Sequence, residues 1–302
     1  MIRKLFLFVL YALFALSVTA LFIVVLFPRE RISDWAAAAI ESRLTGFDCS
    51  VGDIRYVHPL KIRLYTISLV NDFQKIDIPI DTLLLSFQPT WPVEQVAVSG
   101  VAFGGSFEGD VQLDDAGGRN MVAIENLKVS RVRLGEIAMI TEGVGRPLDG
   151  MLSFSGRASL KPGRLDTLRL AGDLRVRNFT APLRRPVFAQ TRIELDDITA
   201  RVSLSSSILQ LTEGRASGRL VHGDFAGTVR TAALWRNREL DITGNAVVQP
   251  ALLEAVPELA EPFEIYVRRF NTRAIPYTLS GTLSDPQIDF ADAAGLESVR
   301  TD

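Results

Sequence analysis

The side chains that most often carry catalysis or bind metals are scarce in this chain. His58 and His222 are its two histidines, and Cys49 is its one cysteine. A zinc site needs clustered Cys and His ligands, and the sequence contains no such cluster. Neighbouring residues of a strand point to opposite faces, so the pairs Asp114-Asp115 and Asp196-Asp197 do not converge as acid and base. We interpret both pairs as hairpin turns, and both histidines as surface or turn residues.

The glycine-rich segments lack the spacing of phosphate-binding and nucleophile motifs. Residues 143–150 read GVGRPLDG, which departs from G-x-G-x-x-G and has proline where a helix should open. Residues 104–109 read GGSFEG, one residue out of register with G-x-S-x-G. A net charge of −2 gives no electrostatic footprint for a phosphate backbone. We therefore predict a protein that is not an enzyme, with no cofactor, no metal and no nucleic-acid partner.

The elements that must position any site are predominantly strands. The chain has 302 residues, of which 47% are hydrophobic, enough for one large or two small folded domains. From residue 51 onward apolar and polar residues alternate with a period of two, which predicts antiparallel sheets with one dry and one wet face. The clearest such segments are 76–81, 107–113, 152–160, 168–177 and 277–284. Leu134–Thr141 and Ala251–Ala260 lack this alternation and are predicted to be short helices.

One apolar row has two interpretations. It consists of Leu152, Phe154, Leu168, Leu170, Leu174 and Val176. These residues could line an open groove for acyl chains, in which each buried methylene contributes about 0.8 kcal/mol. They could equally pack against each other as an ordinary core, and the sequence leaves both interpretations open.

The segment from Leu5 to Phe27 predicts a membrane anchor. It runs for 23 residues without a charge, about 35 Å of helix, which is enough to cross a hydrocarbon core of about 30 Å. A cleaved secretory signal is the alternative, but the apolar run continues past the candidate cleavage site at 18–20. We expect a single span over 1–28 with the amino terminus in the cytoplasm and the rest of the chain translocated.

A second helix is predicted directly after the anchor, within 29–48. Ile32, Ala36, Ile40 and Leu44 recur at helical spacing, and charged residues occupy the opposite face. This amphipathic helix could lie on the membrane surface, with Trp35 at the headgroups. It could instead close the end of the following domain, which is the interpretation we favour.

The chain also contains an internal repeat. Residues 99–111 align without gaps to 217–229, and the glycines Gly100, Gly105 and Gly109 match Gly218, Gly223 and Gly227. A repeated unit of hairpin, helix and strand predicts an extended sheet that grows by stacking. The glycines should then sit at tight turns or bends and permit strong curvature. We expect two related halves, at about 49–185 and 186–292, followed by a polar tail over 293–302.

Together these features resemble the type II secretion system protein N family, within the wider AsmA-like group. The resemblance covers roughly residues 1–290 and includes the span, the helix after it, Gly52-Asp53-Ile54, the 103–109 hairpin and the 279–286 ending. It implies a bacterial inner-membrane anchor and a strongly curved, elongated periplasmic sheet that works with other secretion components. The family has no known catalytic residues, so the resemblance assigns none to this chain. Through the AsmA-like group it also implies an alternative function, binding or transfer of lipid in an apolar groove of the sheet.

Overall fold

A computed structural model describes most of the chain after residue 45. The described residues are 33–34, 37–38, 40–42, 46–58, 60–71, 76–88, 95–114, 121–137, 145–161, 164–187, 190–205, 207–230, 239–282 and 285–290. The predicted membrane span and the polar tail lie outside them. Within these residues, no helix has the length and apolar character needed to cross a bilayer.

The described strands form one 14-stranded sheet in which every neighbouring pair is antiparallel and consecutive in the chain. The strands are β1 Asp48–Val57, β2 Lys61–Asn71, β3 Ile76–Phe87, β4 Gln95–Ala102, β5 Gly105–Asp114, β6 Met121–Arg133, β7 Asp149–Lys161, β8 Arg164–Val187, β9 Gln190–Ser205, β10 Ile208–Ser217, β11 Val221–Arg230, β12 Glu239–Val248, β13 Ala274–Thr282 and β14 Pro286–Phe290. The prediction of a mainly β, antiparallel fold is confirmed. The two predicted halves belong to one continuous sheet, because β8 and β9 pair along their length.

The helices are few and short, as predicted. Two α-helices, α1 (Pro250–Ala255) and α2 (Ala260–Phe270), lie between β12 and β13, joined by a 3₁₀ turn at Pro257–Leu259. The predicted helix at 251–260 therefore exists but extends to residue 270. Near the other predicted helix, the described part is a single 3₁₀ turn at Leu134–Glu136.

Helical residues also precede the sheet, between 33 and 42. Ala37 and Ile40 pack against the cluster formed by Cys49, Ile54, Leu64 and Ile67 of β1 and β2. The carboxylate of Glu41 accepts a hydrogen bond from the backbone N–H of Cys49 at 3.0 Å. These contacts are those expected of a helix that closes the first end of the sheet.

One face of the sheet is apolar across the strands. A row of directly paired residues runs from β1 to β9: Ile54, Leu64, Leu83, Gly100, Phe107, Val129, Phe154, Leu174 and Ala200. After a β-bulge in β10 the row resumes as Gly214, Phe225, Gly244, Tyr277 and Phe290. We call this side the apolar face and the opposite side the polar face. The row shows how alternation within each strand becomes one continuous surface across the sheet.

Only some of the repeated glycines hold the places predicted for them, at a turn or a bend. Gly109 lies at the bulge where the register of β5 against β6 shifts. Gly218 lies in the connection between β10 and β11, but Gly100, Gly105, Gly109, Gly223 and Gly227 lie inside strands. The β4–β5 turn is instead made by Phe103 and Gly104, which both have positive φ, as a two-residue hairpin turn requires. The two copies also differ in register, since Ser99 pairs with Glu108 whereas Ser217 pairs with His222.

Glycines within the strands allow neighbouring strands to approach closely. A β-carbon on Gly223 or Gly227 would lie 2.1 Å from a carbonyl oxygen of β12. Several glycines of the apolar face are directly paired with an aromatic residue: Gly100 with Phe107, Gly214 with Phe225, and Gly244 with Tyr277. The aromatic side chains supply the apolar surface that glycine lacks.

The sheet bends at β-bulges. The register of β6 against β7 shifts twice, and that of β10 against β11 shifts once. Asn126 and Arg131 of β6 and Glu213 of β10 lie at these shifts with positive φ. An extra residue bends its strand and increases the local twist, so repeated bulges coil the sheet.

Candidate functional site: an apolar cavity

The last strands of the sheet enclose a cavity of about 360 Å³. Its wall includes Ile193 of β9 and Ile288 of β14, which are five strand positions apart in the sheet order. In a flat sheet five spacings of about 4.8 Å would separate these strands by about 24 Å. Both contribute to one cavity because the sheet curls between β8 and β14.

One wall of the cavity is a projecting hairpin formed by the ends of β8 and β9. β8 has 24 residues whereas β7 has 13. Pairing of β8 with β7 ends at Thr180, and pairing of β9 with β10 ends at Asp197. Beyond these points, residues 181–187 and 190–196 continue as a two-stranded extension, which we call the projecting hairpin. Leu183, Ile193 and Leu195 of this hairpin line the cavity.

Strands β11–β14 and helix α1 also contribute to the cavity wall. Val221, Ile242, Ala246, Leu279 and Ile288 contribute to it, and all lie on the apolar face.

Two residues of the cavity lining belong to a tightly packed cluster. Leu252 of α1 and Ile275 of β13 are each 1% exposed, and both also line the cavity. They pack with Val248, Phe263 and other apolar residues of both helices. The helical insertion thus supports part of the cavity wall.

A tyrosine hydroxyl lies in this apolar surface. Tyr277 lines the cavity, and its hydroxyl is 3.5 Å from the backbone oxygen of Asp224, to which it donates. Burial raises the pKa of Tyr277 above its usual value, and the negative charge of Asp224 raises it further. The hydroxyl is therefore neutral at physiological pH.

The remaining polar groups lie around the rim. Arg192 and Glu194 form an ion pair at 2.7 Å with side chains that are 67% and 51% exposed. The ring of His222, an exposed residue of β11, contacts the side-chain amide of Gln249 just before α1. These side chains are exposed to solvent. The rim therefore offers hydrogen bonds to a ligand, and the interior offers apolar contacts.

The candidate residues of the sequence analysis are spread over other places. His58 lies in the turn after β1, and His222 is an exposed residue of β11, as predicted. Asp114 ends β5, but Asp196 and Asp197 lie in β9, so the hairpin-turn interpretation of that pair is wrong. Asp197 instead accepts a hydrogen bond from Arg175 across the polar face at 2.6 Å.

The predicted apolar row lies in the middle of the sheet and does not line the cavity. Leu152 pairs with Val176 and Phe154 with Leu174, so these residues share the apolar face. Phe154 and Val176 are 7% exposed, and Leu170 and Leu174 pack in the cluster of Phe154, Ala200 and Val202. Leu168, the sixth member, lies half-buried on β8. The contacts are those of a core.

The residues that line the cavity show the same alternation of apolar and polar residues as the predicted row. Ile242 and Ala246 of β12 alternate with the polar residues Asp241, Thr243 and Asn245, as the predicted row alternates with its own polar neighbours. What the sequence lacks is any sign that β9 and β14 approach each other.

No group of three potential metal-binding side chains occurs among the residues that the structure describes. Comparison of the chain with protein-family models, curated proteins and solved structures gives no match.

Proposed function

We propose that this protein is a lipid-binding module that holds an acyl chain in the cavity at the β8–β14 end of the sheet, and that it acts by binding and catalyses no reaction. The observation that carries the proposal is the cavity itself, which is walled by apolar side chains and rimmed by a few polar ones. Its volume of about 360 Å³ lies in the lower part of the range for small-molecule sites, about 300–1,000 Å³. That size suits one chain better than a whole two-chain lipid.

The apolar lining of the cavity supplies the favourable free energy for binding an acyl chain. Transfer of a methylene from water to an apolar surface contributes about 0.8 kcal/mol, and the cavity offers such surface from the projecting hairpin to Leu252. Tyr277 adds a neutral hydroxyl to this surface and no charge that an acyl chain would have to desolvate.

The test uses the full chain and one cavity-filling variant. Ala246 lies in the cavity wall and pairs with Gly223 across β11, so Ala246→Phe repeats the glycine–aromatic pairing found elsewhere on this face. Ala97→Phe is the matched control, because Ala97 pairs with Asp110 on the polar face of β4. We expect organic extracts of the purified wild type and the control to contain acyl lipid, and those of Ala246→Phe to contain much less. Equal yields from all three proteins would refute the proposal.

The resemblance to the type II secretion protein N family supports a second proposal. In it the chain is a single-pass component of the bacterial inner membrane, exposed to the periplasm, that supports protein secretion. The packing of Ala37 and Ile40 on β1 and β2 favours this, because it would couple the predicted anchor firmly to the sheet. Deletion of the gene should then reduce secreted exoproteins, and unchanged secretion without capture of secretion components would refute it.

A further inference from the structure

The hydroxyl of Tyr277 adds a polar group to an otherwise apolar arrangement. Phe107, Phe225 and Tyr277 each lie on the apolar face directly opposite a glycine of the neighbouring strand. The two phenylalanines fill the space beside their glycines with carbon atoms alone. The hydroxyl of Tyr277 is therefore a hydrogen-bond donor that this kind of packing does not need.

Gly244 makes room for this hydroxyl. It pairs with Phe225 on one side and with Tyr277 on the other. A β-carbon on Gly244 would lie 3.0 Å from the Tyr277 hydroxyl oxygen, so the side chain of Tyr277 crosses this glycine towards β11. There the hydroxyl lies 3.5 Å from the backbone oxygen of Asp224. Since Tyr277 lines the cavity, its side chain is part of the cavity wall.

The hydrogen bond that Tyr277 makes with β11 is long. A hydroxyl donor and an oxygen acceptor usually lie about 2.7–2.8 Å apart, and the interaction is much weaker at 3.5 Å. A donor in an apolar surface gains more from an acceptor at the usual distance. A ligand in the cavity with an oxygen beside this hydroxyl would supply such an acceptor.

The charge next to the hydroxyl favours a neutral acceptor. The carboxylate of Asp224 accepts hydrogen bonds from the side-chain and backbone N–H groups of Asn245, at 3.0 and 3.2 Å. Burial raises the pKa of Tyr277, and the charge of this carboxylate raises it further, so the charge acts at the hydroxyl. The same charge repels a carboxylate of a ligand, whereas the carbonyl group of an ester carries no charge.

We infer that the Tyr277 hydroxyl donates a hydrogen bond to the carbonyl oxygen of an esterified acyl chain, and that the cavity therefore prefers an acyl ester to a hydrocarbon or a free fatty acid. This inference rests on the proposed function, because it concerns a ligand of the same cavity. A fatty acid still binds through its chain, with its carboxylate at the rim. Tyr277 is thus the residue that determines which chemical class of acyl ligand binds most tightly.

Competition against a fluorescent fatty acid measures this preference in the full chain. The purified protein in detergent solution binds cis-parinaric acid, and methyl palmitate, palmitate or hexadecane is added to displace this probe. We expect methyl palmitate to displace it at the lowest concentration. A neutral hydrogen bond changes affinity by about two- to tenfold, so Tyr277→Phe should weaken binding of methyl palmitate by that factor relative to hexadecane. Partition into the detergent is the same for every variant and does not affect this comparison.

Tyr65→Phe is the matched control. The hydroxyl of Tyr65, on β2, accepts a hydrogen bond from Arg63 that is also 3.5 Å long, and β2 is far from β8–β14 in the sheet order. This variant should keep the wild-type preference for the ester. Methyl palmitate with an isotope label at its carbonyl carbon gives a second readout by infrared spectroscopy. A hydrogen bond lowers the stretching frequency of the carbonyl, so the frequency should rise in Tyr277→Phe and stay unchanged in Tyr65→Phe.

Other results would overturn the inference. Equal displacement of the probe by methyl palmitate and hexadecane would show that the wild type binds chains without recognising the carbonyl. An ester preference that survives in Tyr277→Phe would assign the recognition to another group. A larger effect of Tyr277→Phe on palmitate than on methyl palmitate would make the carboxylate the bound form. Failure of the wild type to bind cis-parinaric acid would refute the proposed function, and this inference with it.

Discussion

The close pairing of β7 with β8 makes Gly172→Ala a sensitive test of the fold. Gly172 pairs directly with Gly156, and a β-carbon on Gly172 would lie 2.2 Å from the carbonyl oxygen of Ser155. The same atom would lie 2.7 Å from the Cα of Gly156 and 2.8 Å from the ring of Phe154. The ring can turn aside, but the two backbone atoms move only if the strands separate.

The expected cost follows from these distances. Overpacking of a core costs about 1–3 kcal/mol, and alanine offsets about 0.5–1 kcal/mol of this because glycine loses more backbone freedom on folding. Since backbone atoms are involved we expect the upper end, a net loss of about 2 kcal/mol in the free energy of unfolding. For a sheet of this size that lowers Tm by about 4–8 °C.

The assay is thermal unfolding of the full chain followed by circular dichroism. Gly52→Ala is the control, because a β-carbon there would meet its nearest neighbour, the Cβ of Thr66, at 3.2 Å. We expect the control to change Tm by much less. A Gly172→Ala protein that unfolds at the wild-type temperature would show that β7 and β8 do not approach as described.

Three further predictions concern the cavity and the core. Leu252→Ala should lower the free energy of unfolding by about 2–5 kcal/mol, because it leaves a void in the buried cluster that Leu252 forms with Phe263 and Ile275. Chemical denaturation would measure this, and an unchanged midpoint would contradict the packing of α1. Leu170→Asp should give an unfolded, protease-sensitive protein, because it places a charge in the core of the sheet; a folded variant that has lost its lipid would instead restore the groove interpretation of the predicted row. Tyr277, whose pKa is raised, should stabilise the fold fully below its unfolded pKa of about 10 and progressively less as pH rises through the folded pKa. Unfolding of wild type and Tyr277→Phe at alkaline pH checks this, and identical pH profiles would exclude such a contribution.

Much of the sheet could be predicted from alternation, because each strand has one dry and one wet face. Residues 76–81, 107–113, 152–160 and 168–177 all lie in strands. Of the turn signal at 285–286, Asp285 precedes β14 and Pro286 is its first residue, a position at which a strand tolerates proline.

Helix α2 was missed because its composition favours a strand. Four of its eleven residues have high β propensity: Phe263, Ile265, Tyr266 and Val267. Its buried residues, Phe263 and Tyr266, are three positions apart, which is the spacing expected of a helix. The segment with this spacing was too short to be recognised as a helix from the sequence. Packing on Ile275 and Val248 overrides the local preference.

The cavity could not be predicted because it depends on distances that no local pattern encodes. Only the part of β8 over 168–177 was visible as a polar-apolar alternation. Its extension to Val187 was not predicted, and the pairing that leaves this end projecting is set by where β7 and β10 stop. The curl that brings β9 and β14 together accumulates over bulges such as that at Glu213, which is an ordinary residue in the sequence.

The most direct test of the central claim is to locate a bound chain by photoaffinity labelling. The full chain in membranes would be exposed to a fatty acid that carries a diazirine near its methyl end, irradiated, and mapped by mass spectrometry. We predict cross-links to Ile242, Leu252, Ile275 and Leu279, and their loss in Ala246→Phe but not in Ala97→Phe. Cross-links confined to 5–27, or spread evenly over both faces of the sheet, would contradict the account.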